Sequence, residues 1–433
     1  MAVPTIPQIA AFQQQGDSLA DATIDVIFRQ HDINKVNQLL GTLVTNEGFL
    51  SVRNTLALSN TALVALDWYI ALGSELPPWK DDQLIAQGQQ LFEKYGLIAF
   101  SILGCASLPE AYATDYASRV LGITQELVLH VQRRILETSL FVMDVASPGG
   151  LERQGSGIAS ALKVRLMHAA VRRLILQPPP QGPPPGRPSL GDKYLYLNWP
   201  KQNGMPIHQI AMSMAALSFS YIVLRSLKKL GIQLTEDQDR AYLHLWNVTG
   251  HVMGVDDRLA PQTFQEAAQL YEAVWPASIK LTPDGTRLEK ALLDYLADFV
   301  PAVAFPLRRL PRVMSRYLMS DEVCAALGLE LTWSEWIALA GLDGACKTHA
   351  LASSILGAIG LELRPVNKAA SWTVSSVSGL PHLSAESLGE LTLSRLALEW
   401  LFRQMAEQLR GRQRSSRPPF RIPDKFASAW RLR

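Results

Sequence analysis

Residues 157–176 read GIASALKVRLMHAAVRRLIL, and the spacing of their apolar positions decides how this part of the chain folds. Val164, Met167, Val171 and Leu174 or Ile175 recur at intervals of three and four, the period of a helix and not of a strand. Pro178, Pro179 and Pro180 stop the helix, because proline lacks an amide hydrogen and its ring collides with the preceding turn. His168 lies beside the apolar stripe, flanked by the small Ala169 and Ala170. Arg165 and Arg172, three residues before and four after, fall on the face of His168.

The same period continues outward in both directions. Helices are expected over residues 84–103, with Asp81 and Asp82 at the favourable N-terminal end, and over 124–142, with Thr124 as N-cap and Glu126 in the first turn. Further helices are expected over 206–231, stopped by Gly231, and over 235–253, opened by a Thr235/Gln238 capping box. Others follow over 262–275, 286–300, 333–360 and 388–409, with Pro301, Pro306 and Pro311 as punctuation. The expected architecture is all-α, one large helical domain over residues 1–433. A proline-rich loop (177–188, QPPPQGPPPGRP) interrupts it, and an arginine-rich tail (412–433) is loosely held.

Composition narrows the function. Of 433 residues, 48% are hydrophobic and only 18% charged, which excludes disorder for most of the length and suits a large core or an apolar cavity. Lysine plus arginine (41) against aspartate plus glutamate (39) leaves +2, so no overall field recruits nucleic acid or an anionic membrane. Cys105, Cys324 and Cys346 are too scattered for a disulfide framework or a CxxC metal site, and fit a reducing compartment. The N-terminal residues carry no basic and apolar export pattern, and no run of about 18 uncharged apolar residues is found. The expectation is a cytoplasmic protein without an integral membrane span.

Signatures of nucleotide binding, zinc proteolysis, serine hydrolysis and calcium binding are missing, and Gly155-Ser156-Gly157 reads as a short turn. Chemistry then falls to the helical histidines. An imidazole, apolar walls and nearby cations are what haem requires, although a lone helical histidine is also a common core residue. On the helix expected over 124–142, His130, Arg134, Glu137, Thr138 and Phe141 share a broad face. Arg134 and Thr138 could donate hydrogen bonds to dioxygen or a polarised substrate, and Glu137 could act as a base; a surface stripe is the plainer reading. His244 and His251 stand two turns apart on one helix, but a third metal ligand is lacking.

Several blocks resemble, in order, the family of rubber oxygenases, which includes the latex-clearing proteins and the membrane-associated oxygenases of mycophenolic-acid biosynthesis. They are SLPEAYATDYASRVLGIT (107–124), RRILETSLFVMDVASPGGLERQGSG (133–157), KVRLMHAAVR (163–172), NGMPIHQIAMSMAALSFSYIVL (203–224) and LWNVTGHVMGVDDRLAP (245–261). The quoted blocks run from Ser107 to Pro261, and the family-like catalytic region is expected over roughly residues 20–275. The resemblance implies a helical, globin-like core holding haem b, with His168 as the iron ligand. It places Arg165 at a functionally important position, and Arg134 and Thr138 on the distal side. Arg165 and Arg172 are the cations for orienting the cofactor or its propionates.

This chain departs from the latex-clearing proteins in two places. Glu137 stands where those enzymes have a lysine. Ser118 falls where they have a glutamate proposed as a base, with Glu110 and Asp115 nearby. Both departures point away from rubber and leave the haem expectation intact. The expected function is a haem b-dependent oxygenase using dioxygen on an apolar, isoprenoid-like small molecule or polymer. The alternative is a haem-binding protein that senses, stores or carries without turnover.

Overall fold

A computed structural model describes residues 4–43, 45–124, 131–177, 199, 203–298 and 308–358. His130, His382, most of the proline-rich loop, the helix expected over 388–409 and the tail at 412–433 lie outside the described residues.

The chain is all-α, and no strand occurs among the described residues; Thr114 and Ile279 form one isolated β-bridge. The N-terminal helices are α1 (Ile6–Phe12), α2 (Ser18–Gln30), α3 (Ile33–Thr42), α4 (Asn46–Thr55) and α5 (Asn60–Gly73). Then come α6 (Asp82–Ile102), a π-turn (Leu103–Ser107), α7 (Leu108–Tyr112), α8 (Asp115–Thr124), α9 (Val131–Ala146) and α10 (Ser156–Ile175). After the proline-rich segment follow α11 (Gln209–Phe219), α12 (Tyr221–Lys229), α13 (Glu236–Val252) and α14 (Phe264–Ser278). The last are α15 (Pro283–Asp298), α16 (Leu310–Leu318), α17 (Asp321–Leu327) and α18 (Trp333–Ala358).

Local chemistry explains most boundaries. The Asp81 carboxylate accepts from the Gln83 and Leu84 amides at 2.8 and 3.1 Å and opens α6. Thr235 and Gln238 close the expected capping box at the start of α13. Thr124 is the last residue of α8, and residues 125–130, where the helix expected from it would begin, lie outside the described residues. One expectation changes. The helix expected over 206–231 starts at Gln209 and breaks at Ser220 (φ −109°, ψ −80°). There the Ser220 hydroxyl donates to the Ala216 carbonyl at 2.9 Å, a back-bond to the preceding turn that bends helices. The run Gln209–Lys229 is long and apolar enough to cross a membrane, yet 67% of its most apolar window is buried inside the protein.

α10 is the buried centre of this arrangement. It packs against α9, α2 and α13, while α6 and α13 form the most extensive pair. Ile158, Leu162, Leu166, Ala169 and Ala170 of α10 are all buried. The stripe legible in the sequence (Val164, Met167, Val171) is instead the half-buried face. The helix is therefore covered by protein over most of its circumference and only partly along one strip.

Candidate functional site

His168 stands in that half-covered strip, among Val164, Met167 and Val171. Its residue is half-buried, but Nδ1 is wholly shielded and has no hydrogen-bond partner. Burial, with help from the charges of Arg172 and Arg134, pushes the imidazole down to about 4, so it is neutral at physiological pH. A neutral imidazole with an uncommitted ring nitrogen is the form that ligates a metal. Ala169 and Ala170 face the core and not this strip, so the openness beside His168 comes from the half-covered apolar side chains.

The two arginines of α10 have different surroundings. Arg165 is saturated. Its Nε and Nη2 donate to the two carboxylate oxygens of Asp17 at 2.5 and 2.9 Å, and Nη1 donates to the Val252 carbonyl at 3.0 Å. The Asp17 side chain also accepts from the Ala20 amide, capping α2. The expectation that Arg165 meets cofactor propionates is therefore replaced by a visible role: it fastens α10 to α2 and α13. Gly254 (φ +82°) makes room, since a Cβ there would stand 2.4 Å from the Asp17 carboxylate and 2.7 Å from Arg165.

Arg172 is 1% exposed and less fully engaged. Nη1 donates to Asp21 at 3.1 Å and Nη2 to the Ile207 carbonyl at 3.3 Å, while Nε has no partner. Burial pushes the Asp21 carboxyl up to about 6 against the pull of Arg172. Ile207 has φ +52°, a conformation that costs a β-branched residue on the order of 1–3 kcal/mol. It delivers its carbonyl to Arg172 and leads into His208, whose Nδ1 accepts from the Ala211 amide at 3.0 Å to cap α11. His208 is buried and pushed down to about 4 by burial and by Arg172.

α9 lies beside α10 and carries the other expected residues. Arg134 is exposed and pairs with Glu137 at 3.0 Å, and the Thr138 hydroxyl donates to the Arg134 carbonyl at 2.9 Å. The charge of Arg134 reaches His168. Gly155 caps α10; a Cβ on it would stand 2.3 Å from the Gly149 and Gly150 carbonyls, so the expected short turn is a tight bend joining α9 to α10.

Other sequence candidates are engaged elsewhere. Nε2 of His244 accepts from the Asp81 amide at 2.9 Å, His251 Nδ1 pairs with Asp257 at 2.7 Å, and Trp79 stands edge-on to both rings. No group of three or more metal-ligating side chains occurs among the described residues. Ser118 is fully buried. Of the carboxylates near it, Glu110 is bound by Arg225 and by the Tyr271 hydroxyl (2.6 Å), and Asp115 by Arg119 (2.8 Å) and Lys280 (3.2 Å). An open cleft of about 560 Å³ lies apart from His168, lined by Lys229, Arg316, Tyr317 and Trp336 among others. Its charges partly neutralise one another, Arg316 with Asp321 and Asp343 with Lys347.

Residues 101–350, more than half of the chain, match the family described as ER-bound oxygenase mpaB/B′/rubber oxygenase, catalytic domain. The chain belongs to this family. Membership makes it an oxygenase, an oxidoreductase. Among relatives, it is 26% identical over 313 residues to the rubber oxygenase of Streptomyces sp. (strain K30), covering 72% of this chain and 70% of that one. Its fold matches a solved structure of latex clearing protein LCP in the closed state, with a TM-score of 0.60 at 22% identity, over 90% of this chain and 91% of that one. The rubber oxygenase family match begins at residue 101, so α1–α5 precede it, including α2, whose Asp17 cap and Asp21 hold the two arginines of α10. Sequence reading missed both acids. Their one signal is a capping aspartate ahead of an amphipathic run, which does not reveal a partner some 150 residues away.

Proposed function

We propose that the chain is a haem b-dependent oxygenase that uses dioxygen on an apolar, unsaturated substrate of the isoprenoid class. The observation that carries the haem is His168: a neutral imidazole with a shielded, unpartnered Nδ1, set in a half-covered apolar strip of a rigidly held helix. When bound, haem b supplies the iron at which dioxygen is taken up. His168 would hold the iron, and Val164, Met167 and Val171 would be apolar neighbours of the macrocycle. Arg172, with its Nε–H uncommitted, is the cation of α10 best suited to a cofactor carboxylate. Arg165 acts by positioning, through Asp17.

Arg134, Thr138 and Glu137 are the polar groups on the neighbouring helix. Arg134 can donate hydrogen bonds toward substrate or dioxygen once its exposed pairing with Glu137 opens, which costs little in water. The rubber oxygenase relative supports an apolar, alkene-bearing substrate. The free, buried Cys105, Cys324 and Cys346 support a reducing, cytoplasmic setting.

The test is a visible spectrum of the purified protein before and after dithionite. A Soret band present in wild type and lost in His168→Ala is the expected result. A band equally strong in the variant would remove His168 as ligand, and no band after haem addition would remove haem. The second reading, haem binding without turnover, draws on the Thr138 hydroxyl and Arg134 guanidinium both being engaged within α9. Oxygen uptake with polyisoprene and with short isoprenoid alkenes separates the two: uptake supports the oxygenase, and none with any alkene favours the binder.

A further inference from the structure

α15 lies directly on the π-turn and on α7. A Cβ on Gly285 would stand 2.4 Å from the Tyr112 carbonyl, and one on Gly104 would stand 3.1 Å from Leu296. Residues 285, 289, 292 and 296 share one helical face, so Glu289, one turn after Gly285, is directed at the stretch from Gly104 to Tyr112. Glu289 is 2% exposed, and neither carboxylate oxygen has a hydrogen-bond partner.

Its surroundings hold more unmet polar atoms. The Tyr112 hydroxyl is buried and unpartnered, and the Ser315 hydroxyl finds only the Cys105 thiol. Glu289 acts electrostatically on both Cys105 and Tyr112, and Arg312 of α16 is the cation that acts on it. The charge of Arg134 of α9 also reaches Tyr112, and His168 as well. Buried polar atoms are nearly always satisfied, and a converging set that is not satisfied points to a group that changes state or to an internal water. A π-turn at such a place is a common mark of function.

We propose that Glu289 holds an exchangeable proton inside the protein and that Tyr112 is the group through which this proton reaches the Arg134 side of the site. The carboxyl gives its proton by way of an internal water to Tyr112 Oη while the phenol passes its own proton to solvent water on the Arg134 side, and the reverse transfer from solvent reloads Glu289. One proton leaves, a carboxylate remains, and no bond between heavy atoms changes. Burial raises the Glu289 carboxyl to about 8, which matches a group that takes up and releases protons near neutrality. The use of that proton in oxygenation rests on the function proposed above; the exchange itself does not.

Infrared difference spectroscopy reads the proton directly. In the purified protein at pH 6, wild type should show a buried carboxylic C=O band that Glu289→Gln lacks and that fades as the pH rises past about 8. On transfer to D₂O the band shifts, and Tyr112→Phe should slow that shift by about tenfold or more. In the haem-loaded enzyme, Glu289→Gln should lower oxygen uptake by about tenfold and remove the pH limb near 8, with haem content unchanged. A band absent from wild type, a band retained in Glu289→Gln, or unslowed deuteration in Tyr112→Phe each overturns the proposal. An unchanged pH profile in Glu289→Gln overturns its service to catalysis. Absence of a Soret band in wild type would sink the haem reading instead, and leave the infrared result standing.

Discussion

Two buried polar regions of this protein are built in opposite ways. Around Arg165 every donor nitrogen has an acceptor: Asp17 takes two and the Val252 carbonyl takes the third. Around Glu289 the carboxyl and the Tyr112 phenol are buried and unpartnered, and the Ser315 hydroxyl meets only the Cys105 thiol. A saturated pair fixes geometry, because breaking it leaves a bare charge in the interior. An unsaturated cluster fixes little and leaves its groups free to exchange protons. The first region holds the helix that carries His168, and the second includes Tyr112, which the charge of Arg134 also reaches.

The contrast breaks most sharply at Asp17. Asp17→Ala strands the buried guanidinium of Arg165 and removes the α2 cap, and should lower stability by about 3–5 kcal/mol in denaturant titration. A loss below about 1 kcal/mol would mean that the pair is not a fastening.

At Glu289 the expectation has the opposite sign. The folded carboxyl sits at about 8 and the unfolded one near 4.5, so the bound proton stabilises the fold below pH 4.5, and that contribution is lost as the pH rises through 8. The unfolding free energies of Glu289→Gln and wild type, read by denaturant titration, should therefore diverge in the variant's favour between these values, by up to a few kcal/mol. Parallel curves would mean that the Glu289 carboxyl titrates alike in the folded and the unfolded chain.

His208 is the next test, and it titrates in the acid range. Its folded value is about 4 against 6.5 unfolded, so its stabilisation is complete above 6.5 and is lost as the pH falls toward 4. His208→Asn keeps a capping side chain and removes the titration. The acid limb of the wild-type stability curve should flatten in the variant by up to about 3 kcal/mol.

The smallest effect belongs to the exposed cluster. Arg134→Gln removes a half-exposed ion pair and should change stability by less than about 0.5 kcal/mol, while oxygen uptake falls and the Soret band stays. A large stability loss would make Arg134 a structural residue.

Much of this was legible in the sequence. The three-and-four spacing over residues 157–176, the Thr235/Gln238 box and the proline stops give an all-α chain because helical period and capping are local properties. The blocks from Ser107 to Pro261 carried the family, and His168 stood out within them. The Gly155 bend was readable because glycine marks close backbone approach.

Pairing was not legible. That Arg165 is consumed by Asp17, that Ser220 breaks one apolar run into α11 and α12, and that His208 is a cap and not a free ligand all depend on what lies opposite. Glu289 drew no attention on a helix expected from its period alone, since one glutamate in that pattern looks like any solvated charge. Only the packing of α15 against α7, α8, α9, α16, α17 and the π-turn buries it. The sequence by itself determined which segments are helices and which residues can carry chemistry. The tertiary structure alone decided which of those groups are satisfied and which are left unpaired, because the cost of a buried charge is set by its neighbours in space and not along the chain.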